Sequence, residues 1–202
     1  MILTMNSRNL PRLVVLISGS GTNLQAILDA CASSVLPAQV VAVVANRADA
    51  YGLQRAAVAG VPTLVLVQQP GQARSVYDRT LADAVAAYAP DWIVLAGWMR
   101  ILTMSFLARF PGRVLNLHPA LPGAFPGVHA IERAYAAHER GEIDHTGVMV
   151  HLVPDEGVDD GPVLATAEVA FEPGESLEDF TARTHQVEHW LLVDTLRRMV
   201  TE

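Results

Sequence analysis

Asn116 and His118 stand two residues apart in Leu-Asn-Leu-His-Pro at 115–119. If a strand runs through them they point to the same side, because side chains alternate along an extended chain. An amide donor beside an imidazole suits a reaction in which an oxygen gains charge while a proton moves. The plain alternative is a histidine satisfied by its structural neighbours. A second cluster, Asp155-Glu-Gly-Val-Asp-Asp-Gly-Pro162, supplies acids in a glycine-containing loop. Such acids are ordinarily just solvated, and the spacing is not that of a calcium loop. Folded over His118, one of them would favour the protonated imidazole by proximity of charge.

Ser18-Gly-Ser-Gly-Thr-Asn-Leu24 follows an apolar run and opens a helical stretch. Backbone N–H groups exposed by glycines, together with a helix N-terminus, suit a phosphate. A tight turn is the other reading. A dinucleotide fingerprint would carry a third glycine where Leu24 stands and an acid where Asn46 stands, so a lone phosphate fits better than NAD. Gly97-Trp-Met-Arg-Ile-Leu102 offers an apolar wall for a flat ligand, with Arg100 for a carboxylate, or else is a half-buried loop. His185-Gln-Val-Glu-His189 matches a short zinc signature. It lacks a third ligand in sequence and equally fits the polar face of a helix.

These residues need elements to position them. Runs at 13–18, 40–46, 62–67, 92–96 and 114–117 are continuously apolar and rich in β-branched residues, as strands covered on both faces are. Helical stretches fall between them at 23–31, 53–59 and 75–88. In the third, Tyr77, Leu81, Ala84 and Tyr88 share a face, Ser75 and Asp78 are spaced as a capping pair, and Pro90 stops the chain beyond. A proline-rich loop, 117–129, leads to a helix at 130–140, strands at 147–153 and 162–169 around the acidic loop, and a closing helix at 176–199. Its expected core face is Leu177, Phe180, Val187, Leu191 and Met199. The alternation predicts an α/β fold with a doubly wound, mostly parallel sheet.

The 202 residues are expected to form a single domain over 1–202, against roughly 150 residues for a typical one, with 1–11 as a flexible extension. Net charge is −7, without a block of cations, so nucleic acid is not an expected partner. An anionic small molecule must then be held by local groups. No apolar run is long enough for a transmembrane helix, and polar residues at 6–9 interrupt any secretory signal. The single Cys31 forms no internal disulfide and no Cys-rich zinc site. A cytoplasmic protein, monomeric or homodimeric, is expected.

Five ordered segments, 14–25, 91–102, 115–119, 125–127 and 157–162, resemble the phosphoribosylglycinamide formyltransferases, the folate-dependent formyl transferases of purine biosynthesis. The resemblance implies a Rossmann-like formyltransferase fold. It implies that the amine of glycinamide ribonucleotide attacks the formyl group of 10-formyltetrahydrofolate as cosubstrate, with no metal. Gly21, Thr22 and Asn23 would hold the ribonucleotide phosphate and Glu188 its sugar. Asn116 and His118 would stabilise the oxyanion, with His118 as proton donor. Asp159 would keep His118 protonated and relay the amine proton. Met99, Arg100, Ile101 and Leu102 would meet the pterin with Asn116, and Arg74 the glutamate tail.

Two departures stand beside the site. Ala120-Leu-Pro-Gly123 replaces the usual Leu-Leu-Pro segment, and Met149 occupies a position where a small polar residue is frequent. The alternatives are a formyltetrahydrofolate deformylase, which hydrolyses the same donor; a zinc peptidase using His185, Glu188 and His189; and a non-catalytic phosphometabolite-binding protein. Methionyl-tRNA formyltransferase, with its tRNA-binding domain, fits an acidic chain of this length poorly.

Overall fold

The computed structural model describes residues 10–201. Its strands are β1 (Arg12–Ile17), β2 (Gln39–Ala45), β3 (Thr63–Val65), β4 (Trp92–Leu95), β5 (Val114–His118), β6 (His145–Leu152) and β7 (Val163–Ala170). Its helices are α1 (Thr22–Ala32), α2 (Gly52–Val58), α3 (Arg74–Ala86), α4 (Met104–Leu107), α5 (Ala130–Glu139) and α6 (Leu177–Thr201). One sheet holds the strands in the order β3-β2-β1-β4-β5-β6-β7. β1 to β5 pair parallel with one another, whereas β6 pairs antiparallel with both β5 and β7.

The continuous apolar runs have a direct cause. Leu13, Val15 and Ile17 of β1 pack into a core layer shared with α1 and α6, while Val14 and Leu16 pack into a second layer with α3 and α4. Every residue of the strand's interior is therefore selected for burial, which erases the period of two. Helices lie on both faces, as the doubly wound expectation requires.

Chain order reverses between β1 and β4, and loops at such a switch point form the ligand crevice of open α/β sheets. Ser18 ties the two loops together: its N–H donates to the Gly97 carbonyl at 3.0 Å, and its Oγ accepts the Met99 N–H at 2.8 Å.

Several expected details differ. β3 is a three-residue edge strand, shorter than 62–67, and pairs only with β2. α4 has no counterpart in the sequence reading, because four residues are too few to display a helical period. Ser75 is not the cap of α3: the N-cap is Ala73, with no side-chain cap bond. The buried Asp78 instead accepts the Thr103 N–H at 2.6 Å, joining α3 to the start of α4. On α6, Leu177 is exposed, and Leu192 and Leu196 join Phe180 and Leu191 in the core. Pro11, assigned to a flexible extension, accepts the Gln39 N–H through its carbonyl at 2.8 Å, and the rest of that extension through Asn9 lies outside the described residues. No helix among the described residues is long and apolar enough to cross a membrane.

Candidate active site

Asn116 and His118 sit on β5 with their side chains on the same face, opposite the buried Leu115 and Leu117. The antiparallel register sets His151 of β6 directly across from Asn116, and Met149 across from His118. The β6–β7 loop folds back over this face and delivers Asp159. That residue has a φ of +54°, in the left-handed region that non-glycine residues seldom adopt. Its carboxylate secures the turn. Oδ1 accepts from Asn116 Nδ2 at 2.9 Å, Oδ2 accepts the Gly127 N–H at 2.8 Å, and Oδ2 lies 3.3 Å from His118 Nδ1.

The polar groups close into one network. His151 Nδ1 donates to the Leu152 carbonyl at 2.9 Å, and its Nε2 lies 3.2 Å from Asn116 Nδ2 and 3.5 Å from Asp159 Oδ1. His118 Nε2 faces the Phe125 carbonyl at 3.1 Å. Asp160, the neighbouring acid, packs against Gly157 instead of facing His118. Met149 is fully buried, and the carboxylate of Asp159 takes its support from Asn116, Gly127 and His151. The second departure noted in the sequence therefore leaves no gap in the network.

Burial and charge pull against each other here. Burial of Asp159 raises its carboxyl, but bonds from His151 and the Gly127 N–H, with the charges of both imidazoles, outweigh this and hold it below the ordinary carboxylate range. For His118, burial is the largest influence and lowers the imidazole. Asp159 and the Phe125 carbonyl oppose it, while His151 and Arg133 add to it. Desolvation thus works against the expectation that Asp159 keeps the ring protonated, while the approach of Asp159 Oδ2 to Nδ1 works for it.

These groups lie in a cavity of about 550 Å³ that Arg74, Met99, Arg100, Ile101 and Leu102 also line. Met99 and Ile101 remain 68% and 44% exposed, an apolar wall suited to a flat ring. Arg74 Nη2 donates to the Ile101 carbonyl at 2.8 Å and braces that wall. Arg100 donates to the Gln68 side chain and lies over the Tyr77 ring, so its guanidinium is already engaged.

Gly21, Thr22, Asn23 and Glu188 are not among the cavity's lining. Thr22 and Asn23 open α1, which Gly21 caps, and α1 packs on α6, the helix that carries Glu188. Gly21 is the left-handed N-cap of α1, and a Cβ on it would lie 2.6 Å from the Gly52 Cα, so glycine is required by both conformation and space. The buried Asn23 Oδ1 has no hydrogen-bond partner. Arg55 donates to the Ser20 carbonyl at 2.9 Å and to Gln25 at 3.2 Å, placing a cation beside the loop in an acidic protein. Glu188 is buried and paired with His185 at 2.5 Å. Among the described residues no three His, Cys, Asp or Glu side chains gather to hold a metal ion.

His151, Gly127, Phe125, Arg55 and Asp78 carry contacts that the sequence reading did not assign. The alternation of β6 placed His151 on one face, but only the antiparallel register sets it against Asn116. Arg55 sits on α2, whose approach to the glycine loop depends on the Gly21–Gly52 contact.

Residues 11–196 match the formyl transferase family model. The chain is 46% identical over 177 residues to the phosphoribosylglycinamide formyltransferase of Escherichia coli, covering 88% of this chain and 81% of that protein. It is 44% identical over 202 residues to that of Schizosaccharomyces pombe, covering 94% and 97%. Among solved structures, glycinamide ribonucleotide transformylase 1 from Symbiobacterium toebii superposes with a TM-score of 0.89 at 40% identity, covering 100% of this chain and 92% of that one. With the Asn-x-His strand and the acid-bearing turn meeting in one cavity and the glycine loop following β1 of the same sheet, the chain belongs to the formyl transferase family.

Proposed function

We propose that this protein transfers the formyl group of 10-formyltetrahydrofolate to the amine of glycinamide ribonucleotide, a step of purine biosynthesis in the cytoplasm. The observation that carries the reading is the meeting of Asn116 and His118 with the carboxylate of Asp159, at 2.9 and 3.3 Å, on the floor of a cavity with an apolar wall at 99–102. The wall, with Arg74 at its edge, suits a flat ring bearing an acidic tail. Gly21, Thr22 and Asn23 suit the ribonucleotide phosphate, and Glu188 suits a sugar hydroxyl.

The nucleophile belongs to the substrate, so the protein has to orient, polarise and move protons. The amine lone pair forms the new C–N bond while the formyl π electrons move onto oxygen. Asn116 Nδ2–H and an N–H of His118 donate to that oxygen as charge develops. Asp159, held ionised, accepts the proton the amine sheds, and His118 passes it to the folate nitrogen that departs when the C=O bond re-forms. Protons and charge balance without a metal-bound step.

Mixing the protein with 10-formyltetrahydrofolate, with and without glycinamide ribonucleotide, tests this reading. Folate release is expected only with the ribonucleotide present. Equal release without it would identify a hydrolase of the deformylase type.

A further inference from the structure

Arg133 of α5 is outside every motif of the sequence reading, yet it reaches the segment that touches both His118 and Asp159. Its Nη2 donates to the carbonyls of Phe125 and Pro126, each at 2.6 Å, and its guanidinium lies over the Phe125 ring at 5.9 Å. The Phe125 carbonyl is the same one that faces His118 Nε2, and the next residue but one, Gly127, donates its N–H to Asp159. Phe125 has a φ of +45°, so its carbonyl is aimed by a conformation that needs external support. α5 is a firm base for that support. Ala130, Ile131 and Ala134 are buried, and Tyr135 packs on Phe171 and Phe180.

We infer that Arg133 is a positioning residue for His118: it holds the Phe125 carbonyl in place and remains as that carbonyl's partner when His118 turns its Nε2 proton toward the reacting formyl oxygen. His118 Nε2 carries one proton to share. At rest, Nε2–H is directed at Phe125, and catalysis requires it elsewhere. Without Arg133, release would leave a carbonyl beside a partly buried site with no donor, which opposes release. With Arg133, the carbonyl stays satisfied and His118 is free to change partner. The cation also disfavours a second proton on the ring. The charged and titratable groups facing His118 are Asp159 from the β6–β7 loop, His151 from β6 and Arg133 from α5.

This inference rests on His118 as the proton-moving group of the proposed reaction. In Arg133→Met, kcat is expected to fall about tenfold, the scale on which a small misplacement of a catalytic group acts. KM for each substrate should stay within about twofold, since a positioning effect acts on the reacting groups and not on substrate binding. His118, followed by NMR, should titrate at higher pH than in the unaltered protein, because a cation is removed and Phe125 becomes a better acceptor for Nε2–H. Arg133→Lys, which keeps the charge and one donor, should recover most of kcat. Arg133→Gln, a neutral head that keeps N–H donors, should show the same upward titration shift and serves if the Met variant does not fold. An unmoved His118 titration, or a loss confined to KM, overturns the inference. His118→Ala measured in parallel separates the two failures. If it keeps turnover, the role of His118 falls; if it loses turnover while Arg133→Met does not, only the role of Arg133 falls.

Discussion

Two histidines of this protein are pushed in opposite directions by their surroundings. His118 is buried 4% exposed, and loss of water lowers its pKa despite Asp159; His185 is raised, chiefly by its bond to Glu188. In NMR titrations, His118 is therefore expected to protonate below the ordinary imidazole midpoint and His185 above it. The reverse order would refute the electrostatic account of both. Stability follows with a definite sign. A raised pKa in the folded state means that the His185–Glu188 pair contributes fully below the unfolded histidine value and is lost as pH rises through the folded one. Thermal melts of His185→Ala against the unaltered protein should differ most near pH 6 and converge at alkaline pH. At this scale the sequence was informative where chemistry is local. Asn116, His118 and the acidic loop were legible as types and spacing. Which acid faces the ring was not, because Asp159 and Asp160 differ only in the backbone turn that carries them.

Elements were legible wherever burial imposes a pattern. The parallel strands β1, β2, β4 and β5 announced themselves because both faces are covered, and α3 because its inner face repeats. The capping of α3 was misread because Ser75 and Asp78 have the spacing of a cap, while a tertiary contact claims Asp78 for the Thr103 N–H. The consequence is measurable. Ser75→Ala should change stability by less than about 0.5 kcal/mol, as for a surface substitution. Asp78→Ala should cost about 1–3 kcal/mol, the range for a buried donor left unpaired, and should raise KM for the folate by loosening the 99–102 wall. Equal effects of the two substitutions, read from denaturant unfolding, would restore the cap. The short α4 had too few residues for any period to emerge, and β3, legible as an apolar run, keeps only three residues of it.

On the scale of the whole molecule, the order of the sheet explains why distant segments make one site. The switch between β1 and β4 opens the crevice, and the reversal at β6 lets a single loop carry an acid back over β5. Alternation of strands and helices foretold the parallel part; the antiparallel end was not legible, since pairing direction leaves no mark on composition. The net charge of −7 means that an anionic ribonucleotide is not drawn in by the molecule's overall field. On the proposed reading, binding of the anion is left to the glycine loop and Arg55, while the chemistry is left to three groups elsewhere. That division makes turnover separable from affinity. Asp159→Asn keeps the size of the side chain but loses the ionised acceptor and one of the two bonds that Asp159 accepts, so the central claim is tested most directly by measuring kcat and folate Kd of this variant. A fall in kcat of at least about 10², the scale of general acid–base help, with Kd within about threefold, is the predicted result. A kcat within about tenfold of the unaltered protein would contradict the account.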